Sequence, residues 1–337
     1  YPQPIYQVEI EGLPNEFPAL RTLAAEEPPA PGEPPYKGLQ YFGEADADWF
    51  FGREEITARL AEYVRHHRFL AVIGASGSGK SSIIRAGLVP ALKRGADARW
   101  EIVVITPTAH PLEALATSLT RGSESVTAAA TLMDDLTHDA RSLHLYVRRT
   151  LTPALSLPRR GREDVGRFLL VVDQFEELFT QCHNEAERCA FVDNLLYAVE
   201  AEGGATTAVI ALRADFYDHL APYPALREAV AKHQEYIGPM NAAELRLAIE
   251  QPAKRGGWEF VPGLVDLMLH DVGAGAGQQP EPGALPLLSH ALLETWQRRR
   301  GNTMTLRGYN EAGGVRGAIA QTAETVFYHE LTPKQQP

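Results

Sequence analysis

Residues 74–82 read GASGSGKSS. Gly74, Gly79, Lys80 and Ser81 hold the fixed positions of the spacing G-x-x-x-x-G-K-[ST], and these residue types suit one task, the holding of a phosphate chain. Small residues across Gly74-Ala75-Ser76-Gly77-Ser78-Gly79 let successive backbone N–H groups turn inward on phosphate oxygens. A helix beginning near Lys80 adds its positive end at the same spot. Lys80 supplies a full charge for the β- and γ-phosphates, and Ser81, with Ser82 beside it, offers a hydroxyl to Mg2+.

The partner such a loop needs lies in FLLVVDQFEELF, residues 168–179. Asp173 follows an unbroken apolar run, so its carboxylate emerges at the C-terminal edge of a strand, where it can hold the metal with Ser81. The next position, where many hydrolysing P-loop enzymes carry glutamate, is Gln174. Glu176 and Glu177 follow; either can activate water, or both can simply favour a helix start. Arg213, ending TTAVIALRA (206–214), is placed to sense a γ-phosphate or to pair with Asp215. No K-x-D element for reading guanine occurs, so ATP and ADP, with Mg2+, are the expected ligands.

These residues need a parallel sheet to bring them together. Continuous apolar runs at 69–74, 101–107, 168–174 and 206–214, with a weaker one at 235–240, predict five mostly parallel strands covered by helices on both faces. The spacing of Phe191, Leu195 and Val199 predicts a helix within 184–204, capped by Asn184. From Asn241 the pattern turns helical, over 242–256, 263–272 and 285–300. The Pro/Glu-rich stretch 24–35 predicts a linker, and the loop-like 152–167 precedes the third strand. The organisation expected is therefore 1–35 upstream tail and linker, 36–240 an α/β P-loop core, 241–300 a helical lid, and 301–337 the start of a further unit.

Composition sets outer limits. A chain of 337 residues with 45% hydrophobic and 22% charged residues is an ordinary globular one. Its formal charge of −11 argues against a broad nucleic-acid footprint. Only two cysteines occur, Cys182 and Cys189; they predict free thiols and a reducing, cytoplasmic setting. Neither a membrane-length apolar run nor a signal peptide is apparent, and a start at Tyr1 suggests a piece of a longer polypeptide.

Together these motifs resemble the STAND NTPases, signal-transduction ATPases with numerous domains, in the novel STAND branch. The likeness spans about 36–337 and rests on PYKGLQYF…DADWFFGREEI (35–56), the phosphate loop, VVDQFEELF (171–179), LRADFY (212–217) and GALPLLSHALLETWQRR (283–299). It implies that Phe51-Gly52-Arg53 packs near the adenine. It also implies that Pro286, in a Gly283-Ala284-Leu285-Pro286 run one residue longer than the family's G-x-P, covers the nucleotide. A similarity to the acids of the NACHT class points to Glu177 as the water-activating residue, with Glu176 second. Residues 301–337 would begin a winged-helix-like domain. The first segment, PIYQVEIEGLPNEFPALRTL, looks like the tail of a class III nucleotidyl cyclase domain. The resemblance thus implies a slow ATPase switch with linked effector and C-terminal sensor domains, self-associating when ATP replaces ADP. A steadily turning-over mechanochemical ATPase, and a scaffold with nucleotide as a structural cofactor, are the rival readings.

Overall fold

The computed structural model describes residues 28–95, 99–122, 126–151, 166–274, 280 and 283–325. The cyclase-like segment, most of the 152–167 loop and the last twelve residues lie outside them. Five parallel strands form the central sheet: β1 (Phe69–Gly74), β2 (Trp100–Ile105), β3 (Arg167–Val172), β4 (Thr206–Arg213) and β5 (Gln234–Ile237), in the order β2-β3-β4-β1-β5. The acid-bearing β3 is therefore not beside the loop-bearing β1; β4 lies between them.

Strand side chains alternate between two cores. Ala71, Ile73, Leu170, Val172, Ile210 and Leu212 join one cluster with the helices Pro111–Leu119, Val126–His138 and Glu185–Glu200. Leu70, Val72, Leu169, Val171, Val209 and Ala211 join the other, with Glu54–His66 and the helical run that follows the loop. Both faces of β1, β3 and β4 are thus dry, which is why these strands read as unbroken apolar runs. Each large side chain so buried contributes roughly 1.5–3 kcal/mol. β5 is an edge strand with half-exposed positions, hence its weaker pattern. Asn184 caps Glu185–Glu200, its side chain accepting from the N–H groups of Ala186 and Glu187.

The run after the loop is not uniform. It is α-helical over Lys80–Ser82, wound as a π-helix over Ile83–Leu88, and α-helical again over Val89–Arg94. Insertions of this kind gather at functional sites.

The lid helices are Ala242–Gly256, Leu264–Asp271 and Ala284–Gln297. Packing continues past the expected boundary at 300. Strands Glu259–Phe260 and Thr303–Met304 pair in parallel, and Met304, Tyr309, Val315 and Ala318 share one core with Leu245, Met268 and Leu288. Tyr309 donates its hydroxyl to Asp271 at 2.7 Å.

The described part of the expected linker, residues 28–35, is docked. Ala30 N–H donates to the Gly301 carbonyl at 3.0 Å, and Arg299 donates to the Ala30 carbonyl while its guanidinium lies against both Trp258 and Trp296, whose rings meet edge to face. Tyr36 then donates its buried hydroxyl to the lid carbonyl of Ile249 at 2.7 Å. Six residues on, the Phe42 N–H donates to Ser82 Oγ at 3.1 Å, on the core. Residues 28–42 therefore form a strap from lid to core. Prolines, lacking an N–H, suit such a strand-like edge because they leave no donor unmet. Among the described residues, no helix is long and apolar enough to cross a membrane.

Candidate nucleotide-binding site

The ends of β1, β4 and β3 converge on one rim. Gly74 and Arg213 are register partners on β1 and β4, and Asp173 follows β3 directly. The loop after β1 turns on Gly77 (φ +72°) and Gly79 (φ +89°), conformations an L side chain resists. Beside it opens a cavity of about 270 Å3, walled by core and lid together. Of the residues expected at the site, Ser76 through Ser82, Phe51, Arg53, Asp173, Glu176, Arg213 and Pro286 all line it. Gly74 and Ala75 serve from behind: their carbonyls each accept from Lys80 Nζ at 2.9 Å. Lys80 is buried, and desolvation is the main reason its pKa falls; Arg213 adds to that, while Glu176, Asp173 and Asp215 oppose it.

Asp173 is 1% exposed and fully engaged. Its Oδ1 accepts from Ser81 Oγ at 2.9 Å and from the Gln174 N–H at 3.0 Å; its Oδ2 accepts from Arg85 Nε at 2.7 Å. Gln174 itself sits at φ +52°, the sole non-glycine at positive φ among the described residues. Strain of this sort is sustained where a site needs it.

Arg213 forks onto Asp215, with Nε–Oδ1 at 3.1 Å and Nη2–Oδ2 at 2.6 Å, and stacks over Phe216. The partner that sequence offered as the alternative to a γ-phosphate is the one it holds here. Both side chains are more than a third exposed, so solvent weakens the pair and leaves the guanidinium exchangeable. Glu176 faces the cavity, and its Oε2 accepts the Arg213 N–H at 3.3 Å. Glu177 does not line the cavity. Burial, then Glu176 and Asp173, raise its carboxyl pKa above the ordinary 4.5.

That shift sets a pH signature. A carboxyl whose pKa is raised on folding favours the fold while protonated, and that contribution is lost as pH rises through the raised value. Glu177→Gln, neutral at every pH, is expected to melt at a higher temperature than the parent at pH 7. The difference should vanish below about pH 4, under the unfolded-chain pKa. Thermal melts at the two pH values provide the measurement.

The lid meets the loop at Pro286. A Cβ placed on Gly77 would lie 2.7 Å from Pro286 Cγ and 3.2 Å from its Cδ. Gly77→Ala is therefore expected to lose about 1–2 kcal/mol from the left-handed backbone alone, and more from the proline. With Pro286→Ala added, the second loss should shrink, so the two changes together cost less than their sum, by roughly 1 kcal/mol in urea unfolding. Equal, additive losses would mean the lid does not press on the loop. A similar close approach occurs at Gly52 (φ +84°), whose Cβ would lie 2.3 Å from the Glu244 carbonyl oxygen. Next to it Arg53, 6% exposed, donates to the Gly238 carbonyl at 2.7 Å, and its Nη1 lies 3.5 Å from Glu244. Gly52 and Arg53 are thus part of the seam between core and lid; Phe51 and Arg53 line the cavity, and Gly52 does not.

Residues not singled out from sequence also contribute. Tyr41, Phe42, Trp49, Phe50, Met240 and Leu288 line the cavity, an apolar wall suited to a flat base. Arg85, on Asp173, has no signal of its own in the sequence beyond standing four residues after Ser81 in a helical run.

The residues fit a nucleotide and its metal. The loop presents backbone N–H groups and a buried Ser78 hydroxyl that has no partner. Ser81 and Asp173 are hard oxygen donors already within hydrogen-bond reach of each other, the donor type Mg2+ takes. Cys182 and Cys189 are free thiols away from this cavity.

Fold and site together define a P-loop NTPase. The chain belongs to the novel STAND NTPase 1 family, whose model matches residues 35–337. No curated protein matches it. Among solved structures it is similar to the ORC2 protein of Aeropyrum pernix in ADPNP–ADP complexes, at 15% identity and a TM-score of 0.55, covering 81% of this chain and 70% of that one. The ORC1 protein of Aeropyrum pernix in complex with DNA is similar at 18% identity and 0.52, covering 86% and 71%. At such identities the likeness shows the shared fold.

Proposed function

We propose that this chain is an ATP-driven switch: it binds ATP and ADP with Mg2+, hydrolyses ATP slowly, and controls linked domains of its own polypeptide through the position of the lid. The observation that carries this is the contact of Pro286 with the loop at Gly77. A lid that walls the nucleotide cavity feels what the cavity holds, and a ligand shifts a conformational equilibrium by its difference in affinity for the two states.

The roles follow the geometry. Loop N–H groups and Lys80 hold the β- and γ-phosphates, with Lys80 poised on two loop carbonyls. Arg213 leaves Asp215 for the γ-phosphate and so distinguishes triphosphate from diphosphate by a charge-assisted bond. Glu176, which faces Lys80 and Arg213, takes the proton of the attacking water. Ser81 and Asp173 would hold Mg2+, which would supply positive charge to phosphate oxygens. In the ADP state the lid closes over the core; with ATP it opens and exposes surface for self-association. A formal charge of −11 weighs against nucleic acid as a partner.

The test is the nucleotide carried by purified protein, released by denaturation and separated chromatographically. Retained ADP with turnover slower than about 1 per second, the low end for enzymes, supports the switch. An empty site with brisk turnover would replace it by a steadily working ATPase.

A further inference from the structure

We propose, on the reading above of a nucleotide–metal site, that Arg85 is a positioning residue that stands in for the metal's charge at Asp173 and sets how much Mg2+ the protein needs. Asp173 is almost wholly buried, and a buried carboxylate requires a compensating charge. Arg85 provides it, at 2.7 Å on Oδ2, while Ser81 and the Gln174 N–H hold Oδ1. Both oxygens therefore already accept hydrogen bonds, and Oδ2 carries that of the guanidinium. A cation drawing on Asp173 competes with Arg85 for the same negative charge, and the two positive charges repel each other across it.

The arginine reaches this position from the π-wound turn Ile83–Leu88, four residues beyond Ser81. Its other face lies over the Tyr41 ring, 4.9 Å from the centroid. Tyr41 is half exposed and belongs to the strap that Phe42 pins to Ser82 and Tyr36 pins to the lid. Arg85 is thus supported by the Tyr41 ring as well as by Asp173 and keeps that aromatic contact when the carboxylate bond yields. Metal occupancy at Asp173 is in this way felt by the strap through a single side chain.

The experiment is a Mg2+ titration of the binding of a fluorescent ADP analogue, run on the parent, Arg85→Ala and Arg85→Lys, with melting temperatures in Mg2+ and in chelator. In Arg85→Ala the Mg2+ concentration for half-maximal effect is expected to fall about tenfold or more, the weight of one lost charged hydrogen bond. Its melting temperature should rise with Mg2+ more than the parent's. Arg85→Lys, which keeps the charge but not the planar fork, should lie between. If Arg85→Ala melts lower by the same amount in both buffers and keeps the parent's midpoint, Arg85 is only structural and the proposal is overturned; should Arg85→Ala fail to fold, Arg85→Lys carries the test, and an unchanged midpoint there overturns it. A midpoint that stays put, or moves to higher Mg2+, in a folded variant also overturns it. If the parent binds the analogue in neither buffer, the nucleotide-site reading falls and Arg85's role with it.

Discussion

Lys80→Ala is expected to lose nucleotide binding by at least about 100-fold, the equivalent of roughly 3 kcal/mol in charge-assisted contacts. The side chain is buried, and its ammonium is held by the Gly74 and Ala75 carbonyls at the bend of the loop, so it waits where the phosphates belong rather than searching for them. Its positive charge is what makes the gathered acids Asp173, Glu176 and Asp215 tolerable beside an anionic ligand. Truncation leaves two carbonyls that can turn to water, so the fold should survive with a modest loss. Lys80→Arg is not expected to rescue binding, because the planar guanidinium is larger than the point charge the loop encloses. Calorimetric titration with ADP and ATP measures the effect; unchanged affinity in a folded Lys80→Ala variant would sink the phosphate-loop assignment.

Glu176→Gln is expected to lower turnover by about 100- to 1,000-fold while leaving ATP affinity within roughly threefold, the pattern of a base used only in the transition state. The matching change Glu177→Gln should cost less than about fivefold, because that side chain does not line the cavity. The contrast matters because the family resemblance ranks these two acids the other way. Single-turnover hydrolysis beside equilibrium binding separates the roles. If Glu177→Gln were the variant to stall, the short helical turn Glu177–Thr180 must reorient when nucleotide binds, and Glu176 would be left as the partner of the Arg213 backbone.

Much of this site was legible because its logic is local. Short unbroken apolar runs rich in β-branched residues and ended by glycine or aspartate read as interior strands, so β1 and the last five residues of β3 announce themselves, and with them the positions of the loop and of Asp173. The loop's glycines state their own backbone requirement. What could not be read was spatial. Nothing in the spacing of Glu176 and Glu177 says which points inward, because the turn after Asp173 passes through the positive φ of Gln174, a conformation no propensity rule expects there. Arg85 resembles any helix-surface arginine until Asp173 is placed opposite it. Residues 28–35 look like linker because prolines and glutamates bury little, yet they pack against the lid through Arg299 and its two tryptophans. The apolar spacing of Leu112, Leu115, Ala116 and Leu119 is helical, but it carries no motif that ties it to the site.

The strap has a mechanical consequence. Besides the seam of Arg53 with Glu244 and the approach of Pro286 to the loop, the backbone itself crosses between lid and core twice, once by the strap between Tyr36 and Phe42 and once from Met240 to Asn241. A body held at one point can swing in any direction; one held at two turns about the line between them. On the proposed opening of the lid, these two crossings would define the line about which it turns, and residues 28–30, bonded to Gly301, would move with it.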